Sequence, residues 1–106
     1  MAVDFSLINE IAKKYADDVR KAMPVDKAVL FGSHVKGTAD EQSDIDVCFF
    51  LSSFGEKRKA DIIFDLLKIS DTSYKGIFFE PIVFPTSEIE RGNPFVKEVL
   101  KVCVEI

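Results

Sequence analysis

The sequence predicts a small α/β layer structure, in which a short mixed β-sheet is flanked by helices. Two patterns carry this. Apolar residues recur at intervals of three and four in several segments, and short uninterrupted apolar runs between them end at Gly, Pro or clustered polar residues. A third observation bounds the size. A chain of 106 residues, 47% of them hydrophobic, suffices for one compact core, so a single domain over residues 1–106 is expected.

Taken in order, Phe5 to Met23 places Ile8, Ile11, Ala12, Tyr15 and Val19 at helical spacing, with Asp17, Asp18, Arg20 and Lys21 largely opposite. Pro24 ends this amphipathic helix. Lys27-Ala28-Val29-Leu30-Phe31 is an apolar run stopped by Gly32, as expected of a buried strand feeding a turn, and Ile45 to Leu51 reads as a second strand. Ser53-Phe54-Gly55-Glu56 has the spacing of a capping box, and the helix it would open carries Ala60, Ile63, Phe64 and Leu67 on one face. A third strand, Ile77 to Phe84, contains Pro81, which lacks a backbone donor and so places the strand at a sheet edge or at a bulge. Asn93 and Pro94 suit the cap and first position of a last helix with the stripe Phe95, Val96, Val99, Leu100 and Cys103. Phe49, Phe50, Phe78 and Phe79 read as core.

Composition excludes several function classes. No window holds the roughly 18 apolar residues of a spanning helix, and Met1-Ala2-Val3-Asp4 lacks a secretory pattern, so a soluble, cytoplasmic protein is expected. The formal charge is −4, with Lys and Arg scattered, whereas a protein built to hold a nucleic-acid backbone gathers them into a stripe. Direct nucleic-acid binding is not expected. Cys48 and Cys103 lie in apolar runs without metal-ligand spacing and read as buried free thiols.

Chemistry concentrates in Gly32-Ser33-His34-Val35-Lys36-Gly37 and, beyond a polar loop, Asp44-Ile45-Asp46. Gly32 lets the backbone approach a ligand, Ser33 adds a hydroxyl where a short helix could begin, and Lys36 could add a positive charge. N–H groups at a helix start favour anionic oxygens, which makes this turn a candidate seat for a triphosphate. Strand alternation puts Asp44 and Asp46 on one side, and Ile45, Val47 and Phe49 on the other. Two carboxylates so close repel, and a cation such as Mg²⁺ between them relieves that. His34, the single histidine, reads as a phosphate or base contact, while Asp40 and Glu41 read as solvated loop residues.

Gly32-Ser33, ten intervening residues, then Asp44-Ile45-Asp46, set between two short strands after an N-terminal helix, resembles the signature of the minimal nucleotidyltransferases of the DNA polymerase beta-like superfamily. Gly37-Thr38-Ala39, Ser43 and the closing Asn93-Pro94-Phe95-Val96-Lys97-Glu98 are similar to that group too. The resemblance implies a small nucleotidyltransferase fold over the whole chain. It also implies a third carboxylate, usually Asp, on a later strand. Glu80, one methylene longer and followed by Pro81, stands at that place. The implied reaction is attack on the α-phosphate of ATP with loss of pyrophosphate. Asp44, Asp46 and Glu80 would be the catalytic, metal-ligating residues for two Mg²⁺ ions, and Gly32, Ser33 and Lys36 would bind the nucleotide.

The chain leaves little to enclose an acceptor, so the acceptor is expected on another chain. The resemblance extends to the antitoxin half of toxin–antitoxin pairs and implies transfer of AMP to a tyrosine of a HEPN ribonuclease toxin, in a hetero-oligomer with it. A non-catalytic module that neutralises the same toxin by occlusion is the alternative reading. Modification of a small molecule is a third, and it would require a homodimer to build a pocket.

Overall fold

The computed structural model describes residues 5–40, 43–73 and 78–106, with the side chains of 71–73 left aside. The elements are α1 (Phe5–Ala22), β1 (Val25–Phe31), α2 (Ser33–Lys36), β2 (Ile45–Leu51), α3 (Lys59–Ser73), β3 (Phe79–Pro85), α4 (Ser87–Arg91), α5 (Pro94–Lys101) and β4 (Cys103–Glu105). The strands form one mixed sheet in the order β3-β2-β1-β4, with β2 and β3 parallel and the other pairs antiparallel. The expected α+β architecture is therefore present.

Apolar runs in β1 and β2 follow from burial of both sheet faces. Ala28, Leu30, Ile45, Val47, Phe49 and Leu51 pack on α1 and α3, while Val29, Cys48 and Phe50 pack against Val96 and Val99 of α5. The α1 stripe is as expected, with Ile8, Ala12, Tyr15 and Val19 buried. Tyr15 joins the layers. Its ring lies 5.6 Å from Phe49 and 4.3 Å from Phe79, and its hydroxyl donates to the Leu66 carbonyl at 2.6 Å, which satisfies a polar atom within the core. Among the described residues no helix is long and apolar enough to cross a membrane.

Several local expectations hold. β2 has the expected bounds, and β3 is an edge strand, so the missing Pro81 donor disturbs no second neighbour. Asn93 caps α5, its Oδ1 accepting from the Phe95 N–H at 2.9 Å and the Val96 N–H at 3.4 Å. β1 begins two residues earlier than the apolar run, at Val25, and residue 77, the expected start of β3, lies outside the described residues, as does Glu41.

Others are corrected. Ser53 does not cap a helix. Gly55 has φ +63°, outside the helical region, and its N–H donates to the Ser53 Oγ at 2.9 Å in a tight turn. The helix starts at Lys59, where the Asp61 carboxylate accepts the Arg58 N–H at 3.0 Å, the reciprocal half of a capping box. Among its described side chains Ile62, Leu66 and Ser70 are buried, while Phe64 and Leu67 are 62% and 40% exposed. Apolar residues cover a broad arc of α3 opposite the polar stripe Asp61, Asp65 and Lys68, so spacing does not choose which part of that arc is buried; packing between α1 and β3 does. Cys103 leaves the α5 stripe to pair with Phe31 in β4, and Phe95 is half exposed against Phe84. Phe78 is 73% exposed instead of core. Both cysteines are free; Cys48 is fully buried and its thiol is pushed up to about 12 by desolvation, whereas Cys103 is half-buried.

Candidate active site

Three strands deliver the expected residues to one end of the sheet. The β1–β2 register sets Phe31 opposite Asp46, so the chain turns at Gly32 directly beside that carboxylate. The parallel β2–β3 register sets Glu80 opposite Asp46. Asp46 thus occupies the centre of a row, with the Gly32-Ser33 turn on one flank and Glu80 on the other.

Gly32 is required at its position for two reasons. Its φ of +81° disfavours any L side chain, and a Cβ built there would collide with Asp46 Oδ2. Beyond it, α2 is one short turn, in which Val35 and Lys36 donate their N–H groups to the Gly32 carbonyl at 3.1 and 3.0 Å. The N–H groups of Ser33 and His34 precede those first intrahelical bonds. Gly37, with φ +80°, ends the turn. Ser33 opens α2, and Lys36 is exposed at its far end.

The two aspartates are not equivalent. Asp46 is partly buried, whereas Asp44 is exposed one residue before β2. Burial first, then the charge of Glu80, a hydrogen bond with Glu80 and the charge of Asp44 raise Asp46 from 3.8 to about 6, while His34 acts in the opposite direction. Asp46 and Glu80 therefore form a hydrogen-bonded carboxyl pair, with Asp44 close enough to add repulsion.

His34 does not lie open to a phosphate or base. It is 7% exposed, and its Nε2 lies 3.3 Å from the Ser43 carbonyl oxygen, which ties α2 to the residue before Asp44. That is a correction, and its cause is α2, which turns the ring inward. Ser43 is held from its other side as well: its N–H donates to the Asp40 carbonyl at 3.2 Å, and its Oγ accepts the Asp40 N–H at 3.0 Å. Asp40 is exposed, as expected, yet it is part of this turn.

The donor set is chemically suited to a hard divalent cation: carboxylate oxygens with excess negative charge, among which burial, Glu80 and Asp44 all disfavour the charge on Asp46. Among the described residues no three Asp, Glu, His or Cys side chains close into a ready metal cage. This is compatible with Mg²⁺, which usually takes one or two carboxylates and completes its shell with water and substrate phosphate oxygens.

An open cavity of about 890 Å³ lies elsewhere, at the Leu51 end of β2, lined by Met23, Pro24, Phe54, Ile62 and Ile69. Of the charged residues that line it, Glu56, Lys57, Asp65 and Lys68, two are paired with each other, Lys57 and Asp65 at 2.5 Å. Sequence reasoning missed the His34–Ser43 tie, the abutment of Gly32 on Asp46 and the exposure of Phe78. Only the glycine had a legible signal, an abrupt stop to an apolar run.

Comparison with known proteins agrees with this geometry. Residues 12–104 match the family described as "Nucleotidyltransferase domain". The chain is 27% identical over 101 residues to a "putative protein adenylyltransferase" of Methanocaldococcus jannaschii, covering 93% of this chain and 98% of that protein. Its fold is similar to the crystal structure of a "putative nucleotidyltransferase" from Sulfolobus solfataricus, with a TM-score of 0.62, 24% identity and coverage of 95% of this chain and 80% of that one.

Proposed function

As the chain belongs to the nucleotidyltransferase domain family and is a nucleotidyltransferase, we propose that it transfers AMP from ATP to a hydroxyl of a protein partner. The observation that carries this is the row of Gly32, Asp46 and Glu80 across three strands, which sets a backbone turn for phosphates against a carboxyl pair. The name of the methanogen relative supports a protein as the acceptor class.

In this reading the Gly32-Ser33 turn binds the β- and γ-phosphates, and Lys36 screens their charge. Asp44, Asp46 and Glu80 hold two Mg²⁺ ions, which when bound supply charge neutralisation at the phosphates and a lowered pKa for the attacking hydroxyl. The acceptor oxygen forms a bond to the α-phosphorus as the bond from that phosphorus to the α,β-bridging oxygen breaks, and the electron pair leaves with pyrophosphate. The hydroxyl proton passes to the Glu80 carboxylate, which lies beside Asp46 in register. Most of the acceleration is positioning and electrostatic stabilisation.

The partner in this proposal is a HEPN-type ribonuclease toxin modified on tyrosine, which makes the chain an antitoxin that acts by catalysis. The test is the intact mass of the co-purifying protein before and after incubation with ATP and Mg²⁺, beside the Asp44→Asn, Asp46→Asn double variant. Gain of AMP units in the wild type alone is expected. An unmodified partner that stays bound and gains no mass in either sample refutes transfer and leaves neutralisation by occlusion.

A further inference from the structure

Phe78 has no role in the core and yet stands at the carboxylate end of the sheet. Its carbonyl accepts the Ile45 N–H at 2.9 Å, which extends the β2–β3 register by one step and sets it opposite Asp44. Alternation carries Phe79 into the core against Tyr15, and carries Phe78 and Glu80 toward the other face. Two residues along a strand span roughly 7 Å, so Phe78 stands opposite Asp44 in register and one strand repeat from Glu80. With 73% of its surface exposed, it contributes little to folding.

The direction of the reaction assigns this ring an occupant. In-line displacement places the attacking oxygen opposite the leaving pyrophosphate. The phosphate turn follows β1, on one side of Asp46, whereas Glu80 of β3 and Phe78, the residue just before that strand, lie on the other. With pyrophosphate leaving toward Gly32-Ser33, the acceptor hydroxyl arrives from the β3 side and passes over Phe78. A phenylalanine offers no hydrogen bond and no charge, only an apolar face and edge, and the groups beside it are carboxylates. An aromatic ring bearing the hydroxyl satisfies both, stacking on Phe78 while its oxygen reaches Glu80.

We propose that Phe78 is the platform on which the acceptor's aromatic ring stacks, which makes it a specificity-determining residue for the transfer proposed above. The inference rests on the nucleotidyl-transfer reading, its tyrosine acceptor included, and adds to it the residue that holds the acceptor ring. Its probe is N-acetyl-3-fluorotyrosinamide, titrated into the full chain with Mg²⁺ and α,β-methylene-ATP and followed by ¹⁹F NMR, with the affinity of the nucleotide analogue measured separately. Phe78→Ala is expected to weaken the tyrosine probe by roughly fivefold to tenfold, the worth of one aromatic contact, and to leave nucleotide affinity within about twofold. Phe78→Trp is expected to restore binding, and AMP transfer to N-acetyl-tyrosinamide over N-acetyl-serinamide to fall in step with probe affinity in Phe78→Ala. Unchanged probe binding in Phe78→Ala, or a parallel loss of nucleotide affinity, overturns the assignment of Phe78 alone. A wild-type chain that binds no nucleotide analogue overturns the transfer reading and this inference with it.

Discussion

Asp46→Asn is expected to make the protein more stable at neutral pH while removing a carboxylate that the proposed transfer uses. In the folded chain Asp46 holds its proton up to about pH 6, against an ordinary value of 3.8, because burial, Glu80 and Asp44 all disfavour its charge. The folded state therefore binds more protons than the unfolded state between those values, and stability falls as pH rises through that window. The cost is absent below about pH 4 and complete above about pH 6. At 1.36 kcal/mol per pH unit the rise corresponds to roughly 3 kcal/mol, and the partial exposure of Asp46 screens it to about 1–2 kcal/mol. Asparagine keeps the shape and can still bond Glu80 without the charge. Thermal melts in EDTA at pH 4, 6 and 8 measure this, with an expected rise in Tm at pH 8 of roughly 5–15 °C that closes toward pH 4. Millimolar Mg²⁺ is expected to stabilise the wild type more than the variant. A variant that melts at or below the wild type at pH 8, or gains as much at pH 4, refutes the charge-repulsion account.

Gly32→Ala forces a side chain into positive φ and against Asp46 Oδ2, and is expected to cost about 1–3 kcal/mol in a denaturant melt and to abolish AMP transfer. Leu66→Ala is expected to cost about 2–5 kcal/mol, whereas Phe64→Ala stays within about 0.5 kcal/mol; equal losses in the two melts contradict the observed face of α3. With a thiol reagent at pH 8, Cys48 is expected to stay unreacted in the native protein and to react only after denaturation, since its thiol is buried and its pKa is pushed up to about 12. Rapid native labelling of Cys48 contradicts its burial.

Legibility in the sequence tracked how local each cause is. The α1 stripe, β2 and the Asn93-Pro94 cap depend on residues within a few positions of one another, and the structure places them where spacing does. The edge position of β3 was readable because Pro81 lacks a donor whatever surrounds it. The buried face of α3 was not legible because its apolar arc is broader than the face that packs, and the choice within it comes from contacts with distant partners such as the Tyr15 hydroxyl on the Leu66 carbonyl. β4, of three residues, and α4, of five, are too short for periodicity to register, and β4 exists only because β1 offers it an edge.

The same division runs through the candidate site. Sequence alone marked the residues proposed to carry the chemistry, since a glycine turn and an Asp-x-Asp pair are local patterns whose spacing survives in any environment. Only the tertiary structure decided that Asp46 is central and Asp44 peripheral, that Glu80 stands beside Asp46 in register, that His34 is inside and Phe78 outside. Those properties are set by strand register and by burial, which join residues up to 48 positions apart from Gly32 to Glu80, and no local pattern of residues encodes them.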